Sequence, residues 1–471
     1  MAVNTPGFLI LFVAILLLYY LLPVKLRVYF LTLASLLFYA LWGVSATCLF
    51  LIVVFFTYSG AELISKNKNN KAVCNIALFA NIAFIAGILL SVRFLPANSF
   101  IVCVGLSFFS LQALGYVVDV YKGKTEAETN FLRYLLFLSF FATVTSGPIQ
   151  RSDVFLRQLH EDKEFDYGKV KHGLLMIAWG LFAKNFVADR LDFITGHAFE
   201  GYDTLPGFML LIAVVVYAFE LYCDFYGYSY IALGCAKALG FDLPDNFRRP
   251  YLSTSVKEFW SRWHISLSEW LRDYVYFPLG GSRKGKLRTL INIAVTFIVS
   301  GIWHGRGLTF LVWGGLHGIF RIFDELTLKK RNAFENGLKS GFARKIFRAL
   351  SCILTFTSVD FAWLFFRAES LDSALVIIRR IFTESDCVRT IRDEVYTFGL
   401  GKKEVAVWFL GLVLILVTNI LREKGISLYK WLEKRNVCLR WAVYIAFVLF
   451  LMGSGIYYYG YSASRFIYSG F

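Results

Sequence analysis

Apolar residues run along this chain in continuous blocks of about 20, separated by short polar and mostly basic segments. Blocks of that length, coiled as helices, match the hydrocarbon thickness of a bilayer. A transmembrane barrel would instead alternate apolar and polar positions. The blocks predict helices over Gly7–Pro23, up to Gly43, Ala46–Ile64, Val73–Val92, Gly105–Val120, Phe131–Thr145, Tyr167–Lys184 and Phe208–Lys237. They predict further helices over Leu290–Ile302, Leu308–Phe323, Ile353–Phe366, Val405–Leu421 and Trp441–Tyr459. The pattern reads as an all-α polytopic membrane protein of about ten to twelve spans. It forms one integral-membrane domain over residues 1–471, with N-terminal helices in 1–240, a core in 241–323 and C-terminal helices in 324–471.

The interruptions carry as much information as the blocks. Lys25, Arg27, the Ser65–Lys71 segment, Lys122 and Lys124 all fall on one side if the helices alternate, which makes that side cytoplasmic and the N-terminus extracytoplasmic. The first block has no basic segment before it and no small-residue cleavage site, so it reads as a retained helix. Ser146–Arg151 puts Gly-Pro inside an apolar stretch. Its freed backbone groups need protein or water around them, as a re-entrant bend or as a loop at the membrane edge. Glu220 and Asp224 lie one turn apart in the Phe208–Lys237 block. Such carboxylates mark either a functional site or a pairing with neighbouring helices, for instance with an arginine of the core region, and the pairing is favoured.

From Asp242 to Arg288 the composition turns polar, aromatic and basic. Ser255 and Glu258 have capping-box spacing, and Trp260, Trp263, Leu267, Trp270 and Tyr274 follow at helical spacing. One amphipathic helix is predicted there, with His264 one turn beyond Trp260. The Pro278–Lys286 segment is a turn-rich cationic loop, read as topological anchoring or as a seat for a phosphate-bearing donor through Arg283 and Lys284.

The chain is 57% hydrophobic and carries a formal charge of +16. In a soluble protein that charge would suggest nucleic acid; here it sits between apolar blocks and encodes topology, so no nucleic-acid partner is expected. The eight cysteines show no C-x-x-C pair, and no zinc or disulfide pattern follows. No Gly-x-Ser-x-Gly, Walker or His-Glu-x-x-His motif is present.

The chemistry concentrates in Ser255–Phe320, which holds three of the six histidines: His264, His304 and His317. His304 and His317 are thirteen residues apart, roughly 220° on one continuous helix. Gly305 and Gly307 predict a break that lets both face one cavity. Burial favours the neutral imidazole, the form able to act as a general base, and a base in a closed cavity suits acyl transfer. Each histidine taken alone reads more readily as a hydrogen-bonded packing residue, a reading that three in one Trp- and Gly-rich stretch weaken, and metal binding lacks partner ligands.

Asp224–Ser229, Asn246–Tyr251, Phe259–Ser268, Arg272–Tyr274, Pro278–Gly281, Trp303–Gly305 and Trp313–Gly318 occur in this order. With them the chain resembles the membrane-bound O-acyltransferase (MBOAT) superfamily, in its bacterial AlgI-like (alginate O-acetyltransferase) branch, with the DltB D-alanyl transferases more distant. The resemblance implies a ring of helices around a central tunnel. It implies His304 as the principal catalytic residue, His264 as its partner and His317 as the third histidine. Asp224, Trp260, Trp263, Arg272, Arg283, Lys284 and Trp303 are donor-binding or tunnel candidates.

The implied reaction moves a small acyl group, acetyl, from a cytoplasmic thioester such as acetyl-CoA to the outer side of a bacterial cell membrane. No bound cofactor is expected. A separate extracytoplasmic transferase of the SGNH-hydrolase or DltD-like kind would pass the group to a polysaccharide. The C-terminal Phe466–Phe471 resembles an acyl-relay tail with Tyr468 as the acylated residue; an interfacial aromatic anchor is its other reading. Both termini are expected outside the cytoplasm. D-alanyl transfer to teichoic acid and a non-catalytic transporter or scaffold of a secretion complex remain as alternatives.

Overall fold

A computed structural model describes residues 2–94, 104–384 and 402–454, and among them every regular element is helical. Helices α1 (Pro6–Leu21), α2 (Val24–Ala40), α3 (Val44–Lys66), α4 (Lys71–Phe94) and α5 (Leu106–Tyr121) follow the first five apolar blocks closely. Thr5 opens α1 by accepting a hydrogen bond from the Phe8 N–H, and Pro6 occupies the first turn, where its missing N–H costs nothing.

Helix α6 (Phe131–Ser139) is shorter than its block predicts. The chain leaves the helix at Phe140 and passes through turns to α7 (Ser152–Leu159), yet Phe140–Val144 and Ser146–Gln150 are buried. The Gly-Pro bend is therefore enclosed by protein. The Ile149 N–H is satisfied by the Ser266 hydroxyl at 3.0 Å.

Helix α8 (Tyr167–Leu181) continues through a π-helical turn, Phe182–Ala188, into α9 (Asp189–Glu200). Helix α10 (Gly207–Ala238) is 32 residues long and mostly buried, and forms the spine of the molecule. It meets α8 at glycines on both sides. A Cβ on Gly234 would sit 2.5 Å from the Gly173 carbonyl oxygen, and one on Gly227 2.7 Å from that of Gly180. Close backbone approach at small residues is how helices associate where lipid removes the hydrophobic drive between them.

The aromatic stretch departs from expectation. It is two helices, α11 (Val256–Arg262) and α12 (Ile265–Leu271), followed by a π-helical turn at Arg272–Tyr276. His264 breaks the run with a left-handed backbone, φ 41°. Backbone bonds from outside the run hold the break. The Arg248 N–H donates to the Arg262 carbonyl at 2.9 Å and the Ile265 N–H to the Asn246 carbonyl at 3.0 Å. The capping box is also half-formed: Ser255 accepts from the Glu258 N–H, while the Glu258 carboxylate reaches Thr254.

Helices α13 (Lys286–His304) and α14 (Leu308–Gly337) form a hairpin broken at Gly305–Gly307, as the glycines predict. Helices α15 (Gly341–Arg367), α16 (Leu371–Thr383), α17 (Lys402–Glu423), α18 (Leu428–Glu433) and α19 (Val437–Ser454) complete the described chain. Five described helices (α3, α4, α10, α13 and α15) are long and apolar enough to cross a membrane, and α1, α5 and α19 are shorter apolar helices. Leu21, Val44, Ile76 and Leu354 are more than 60% exposed on the outside of the bundle, an arrangement suited to lipid and not to water. Tyr468 lies outside the described residues.

Candidate active site

The α13–α14 hairpin is the first positioning device. Gly301 on α13 packs against Gly314 on α14, where a Cβ would sit 2.5 Å from the Phe297 carbonyl oxygen; a Cβ on Gly301 would collide with the Phe310 carbonyl. His304 and His317 each lie three residues beyond one of these glycines, so the backbone contact sets how far apart their helices stand. Gly314→Val should cost about 1–3 kcal/mol through overpacking and depress acyl transfer by spreading the hairpin. Gly315→Ala, where no atom lies within 4 Å of the new methyl, should leave both unchanged. Thermal unfolding and activity of the two purified variants make the comparison.

The second device is α11. Its N-terminus is held by Asp324 of α14, which accepts from the Lys257 N–H at 2.8 Å and pairs with Arg331 at 2.6 Å. A carboxylate there meets the unpaired amides and positive end of the helix. The clamp sets Trp260 against His317, with ring centroids 4.9 Å apart and indole Nε1 donating to His317 Nδ1 at 3.3 Å. An indole N–H only donates, so Nδ1 carries the lone pair and Nε2 the proton.

His304 and His317, expected to face one cavity, lie with His264 in one aromatic cluster, and the three are almost completely buried, at 1%, 2% and 0% exposure for His264, His304 and His317. Trp303 lies between the first two, with centroids 6.2 Å from His264 and 4.7 Å from His304. Trp313 joins the other two, 4.7 Å from His304 and 5.0 Å from His317. Phe108 of α5 and Phe366 of α15 close the edges against His264 and His304. Indole bonds tie the cluster to α5: Trp270 Nε1 donates to the Leu111 carbonyl at 2.8 Å and Trp303 Nε1 to that of Ser107 at 3.4 Å.

A cleft of about 500 Å³ opens beside the cluster, lined by Trp260, Ser268, Arg272, Thr296, Ser300 and Arg321 among others. Trp260 is thus shared between the cleft and His317, and Ser300 lies one helical turn before His304.

The other predicted residues fall in different places. Trp263 is buried behind the cluster, 5.1 Å from Trp363, which in turn lies 5.8 Å from His317. Arg272 lines the cleft and pairs with Asp273 at 2.8 Å. Arg283 and Lys284 are exposed on the turn after the π-helical segment and do not reach the histidine cluster. Asp224 is also outside it. With Asp189 it flanks Lys184 of the π-helical turn, the Lys184–Asp189 distance being 2.7 Å and all three side chains buried. The expected arginine partner is therefore a lysine. Glu220 accepts a hydrogen bond from Thr195.

Sequence reading missed Lys184, which it took as a helix end, and the support of His264 by Asn246 and Ser266. The signal for Asn246 was its place at the head of the Asn246–Tyr251 motif.

An all-helical, multi-pass membrane protein with a buried cluster of imidazoles and indoles is the class these features define. Residues 124–336 match the profile of the MBOAT, membrane-bound O-acyltransferase family. The chain is 34% identical over 390 residues to a probable alginate O-acetylase AlgI of Pseudomonas fluorescens, covering 79% of this chain and 74% of that protein. It is 30% identical over 389 residues to a peptidoglycan O-acetyltransferase of Helicobacter pylori, covering 74% and 72%. It is 31% identical over 285 residues to a teichoic acid D-alanyltransferase of Streptococcus thermophilus, covering 56% and 67%. The chain belongs to the membrane-bound O-acyltransferase family and is a membrane O-acyltransferase.

Proposed function

We propose that the chain moves an acetyl group from a cytoplasmic thioester, acetyl-CoA, through the membrane to serve the O-acetylation of an extracellular or cell-wall polysaccharide. The observation that carries this reading is the joining of His264, His304 and His317 through Trp303 and Trp313 in a cluster closed to water. The broader coverage of the acetyl-transferring relatives than of the D-alanyl one favours acetyl.

In the proposed step His304 takes the proton of an acceptor hydroxyl. The hydroxyl oxygen bonds to the thioester carbonyl carbon, the C–S bond breaks, and the departing thiolate recovers the proton. His264 supports His304 across Trp303. The cleft that reaches Trp260 and Ser300 is of a size to admit the thioester arm. Buried imidazoles suit this work because nearby water would hydrolyse the donor.

Transfer onto the polymer belongs to a separate extracytoplasmic SGNH-hydrolase or DltD-like partner, reached through acylated Tyr468. Tyr468→Phe should abolish polymer acetylation in cells while leaving the protein's level in the membrane unchanged; normal acetylation would remove the relay.

The reading as a whole is tested with purified protein in sealed vesicles given acetyl-labelled CoA on one side. Label should reach an acceptor on the opposite side and fail to do so with His304→Gln. Equal transfer by parent and variant would refute it.

A further inference from the structure

Asn246 is the residue whose geometry goes furthest beyond the family match. It lies in the segment between α10 and α11, is 1% exposed, and its side-chain oxygen is met by three groups. The Ser266 N–H approaches at 3.3 Å, the Ser266 hydroxyl at 2.8 Å and His264 Nδ1 at 3.2 Å. A backbone N–H can only donate, so the amide atom facing Ser266 is the oxygen. The other end agrees: Asn246 Nδ2 donates to the Ser229 hydroxyl of α10 at 3.2 Å. The Ser266 hydroxyl is fixed in turn, accepting from the Ile149 N–H at 3.0 Å and so turning its own proton toward Asn246. His264 Nδ1 therefore faces an acceptor and must be the nitrogen that carries the proton.

The backbone makes the same commitment. The Asn246 carbonyl accepts from the Ile265 N–H at 3.0 Å, directly after His264, whose φ of 41° lies in the left-handed region that a side chain with a Cβ rarely occupies. Strain of that kind persists only where the surroundings over-determine it. One asparagine holds both the backbone break and the ring that the break displays.

We infer that Asn246 is a positioning residue that locks His264 in the Nδ1–H tautomer, leaving the imidazole lone pair on Nε2. The inference rests on the proposed participation of His264 in acyl transfer, but the tautomer is measurable without it.

The test uses the full chain, labelled with ¹⁵N-histidine, in lipid nanodiscs. The His264 signals are assigned by their loss in His264→Gln. The parent should show the Nδ1–H pattern; Asn246→Leu should lose it; and Asn246→Asp, which keeps an acceptor toward His264 and lets the Ser229 hydroxyl turn round, should retain it. In parallel, Asn246→Leu should lower kcat about tenfold to hundredfold at unchanged donor KM, the usual effect of removing an imidazole's orienting partner. In a His264→Gln background it should lower kcat no further.

Persistence of the Nδ1–H pattern in Asn246→Leu overturns the inference, as does an equal further loss in the His264→Gln background. If Asn246→Leu does not fold, an Nε2–H pattern in Asn246→Asp overturns it. Full activity of His264→Gln would instead defeat the proposed role of His264, with the tautomer result still standing for Asn246.

Discussion

Replacing His304 by glutamine should reduce acyl transfer by about 10²–10⁴-fold, the usual worth of a positioned general base. Glutamine approximates the volume of histidine and keeps polar atoms near Trp303 and Trp313, so the cluster should hold its packing. Its amide does not accept a proton at neutral pH. The loss should therefore appear in kcat, with donor KM and thermal unfolding close to those of the parent. His304→Ala is a poorer probe, because it also removes a ring packed 4.7 Å from each of two indoles. A glutamine variant with more than half the parental kcat would remove His304 from the chemistry.

The second large effect concerns stability. Lys184, Asp189 and Asp224 are 1%, 2% and 1% exposed. Lys184→Met would leave two carboxylates buried without their cation. Breaking a buried ion pair from one side costs about 3–5 kcal/mol, because the remaining carboxylates stay out of water and lose the cation that offset their burial. The variant should unfold at markedly lower denaturant in mixed micelles. The triple change Lys184→Met, Asp189→Asn and Asp224→Asn should recover much of the loss, since it removes the two buried carboxylate charges as well. Unfolding of Lys184→Met at the parental midpoint would show that the cluster adds nothing to stability.

The two effects separate chemistry from scaffold, and the sequence was unequally clear about them. The early helices were legible because the bilayer imposes one length and one composition on any span; α3 and α4 lie within a few residues of their apolar blocks. The hairpin break was legible because Gly305 and Gly307 interrupt an otherwise helical pattern. The break at His264 was not. Trp260, Trp263, Leu267, Trp270 and Tyr274 keep helical spacing straight through it, and what breaks the helix is a pair of backbone bonds to residues 14 and 19 positions earlier, Arg248 and Asn246.

Lys184 misled for a related reason. A lysine at the end of an apolar block reads as a helix terminus at the membrane surface. Here a π-helical turn carries the helix past it and seats it between Asp189, just beyond that turn, and Asp224 of α10. The partner of Asp224 was thus invisible in composition, although the expectation that Asp224 would be paired was correct. The histidines were legible as a group from their Trp- and Gly-rich surroundings. The indoles that join them could be placed only once α13 and α14 were folded against each other.

The most direct test of the central claim is a kcat cycle with His264→Gln, His304→Gln and the double variant in the same vesicle preparation. Two imidazoles working on one acyl group predict that the double variant is scarcely slower than the worse single one, as for residues that act as a unit. Losses that simply multiply would place the two histidines in independent roles and contradict a shared centre.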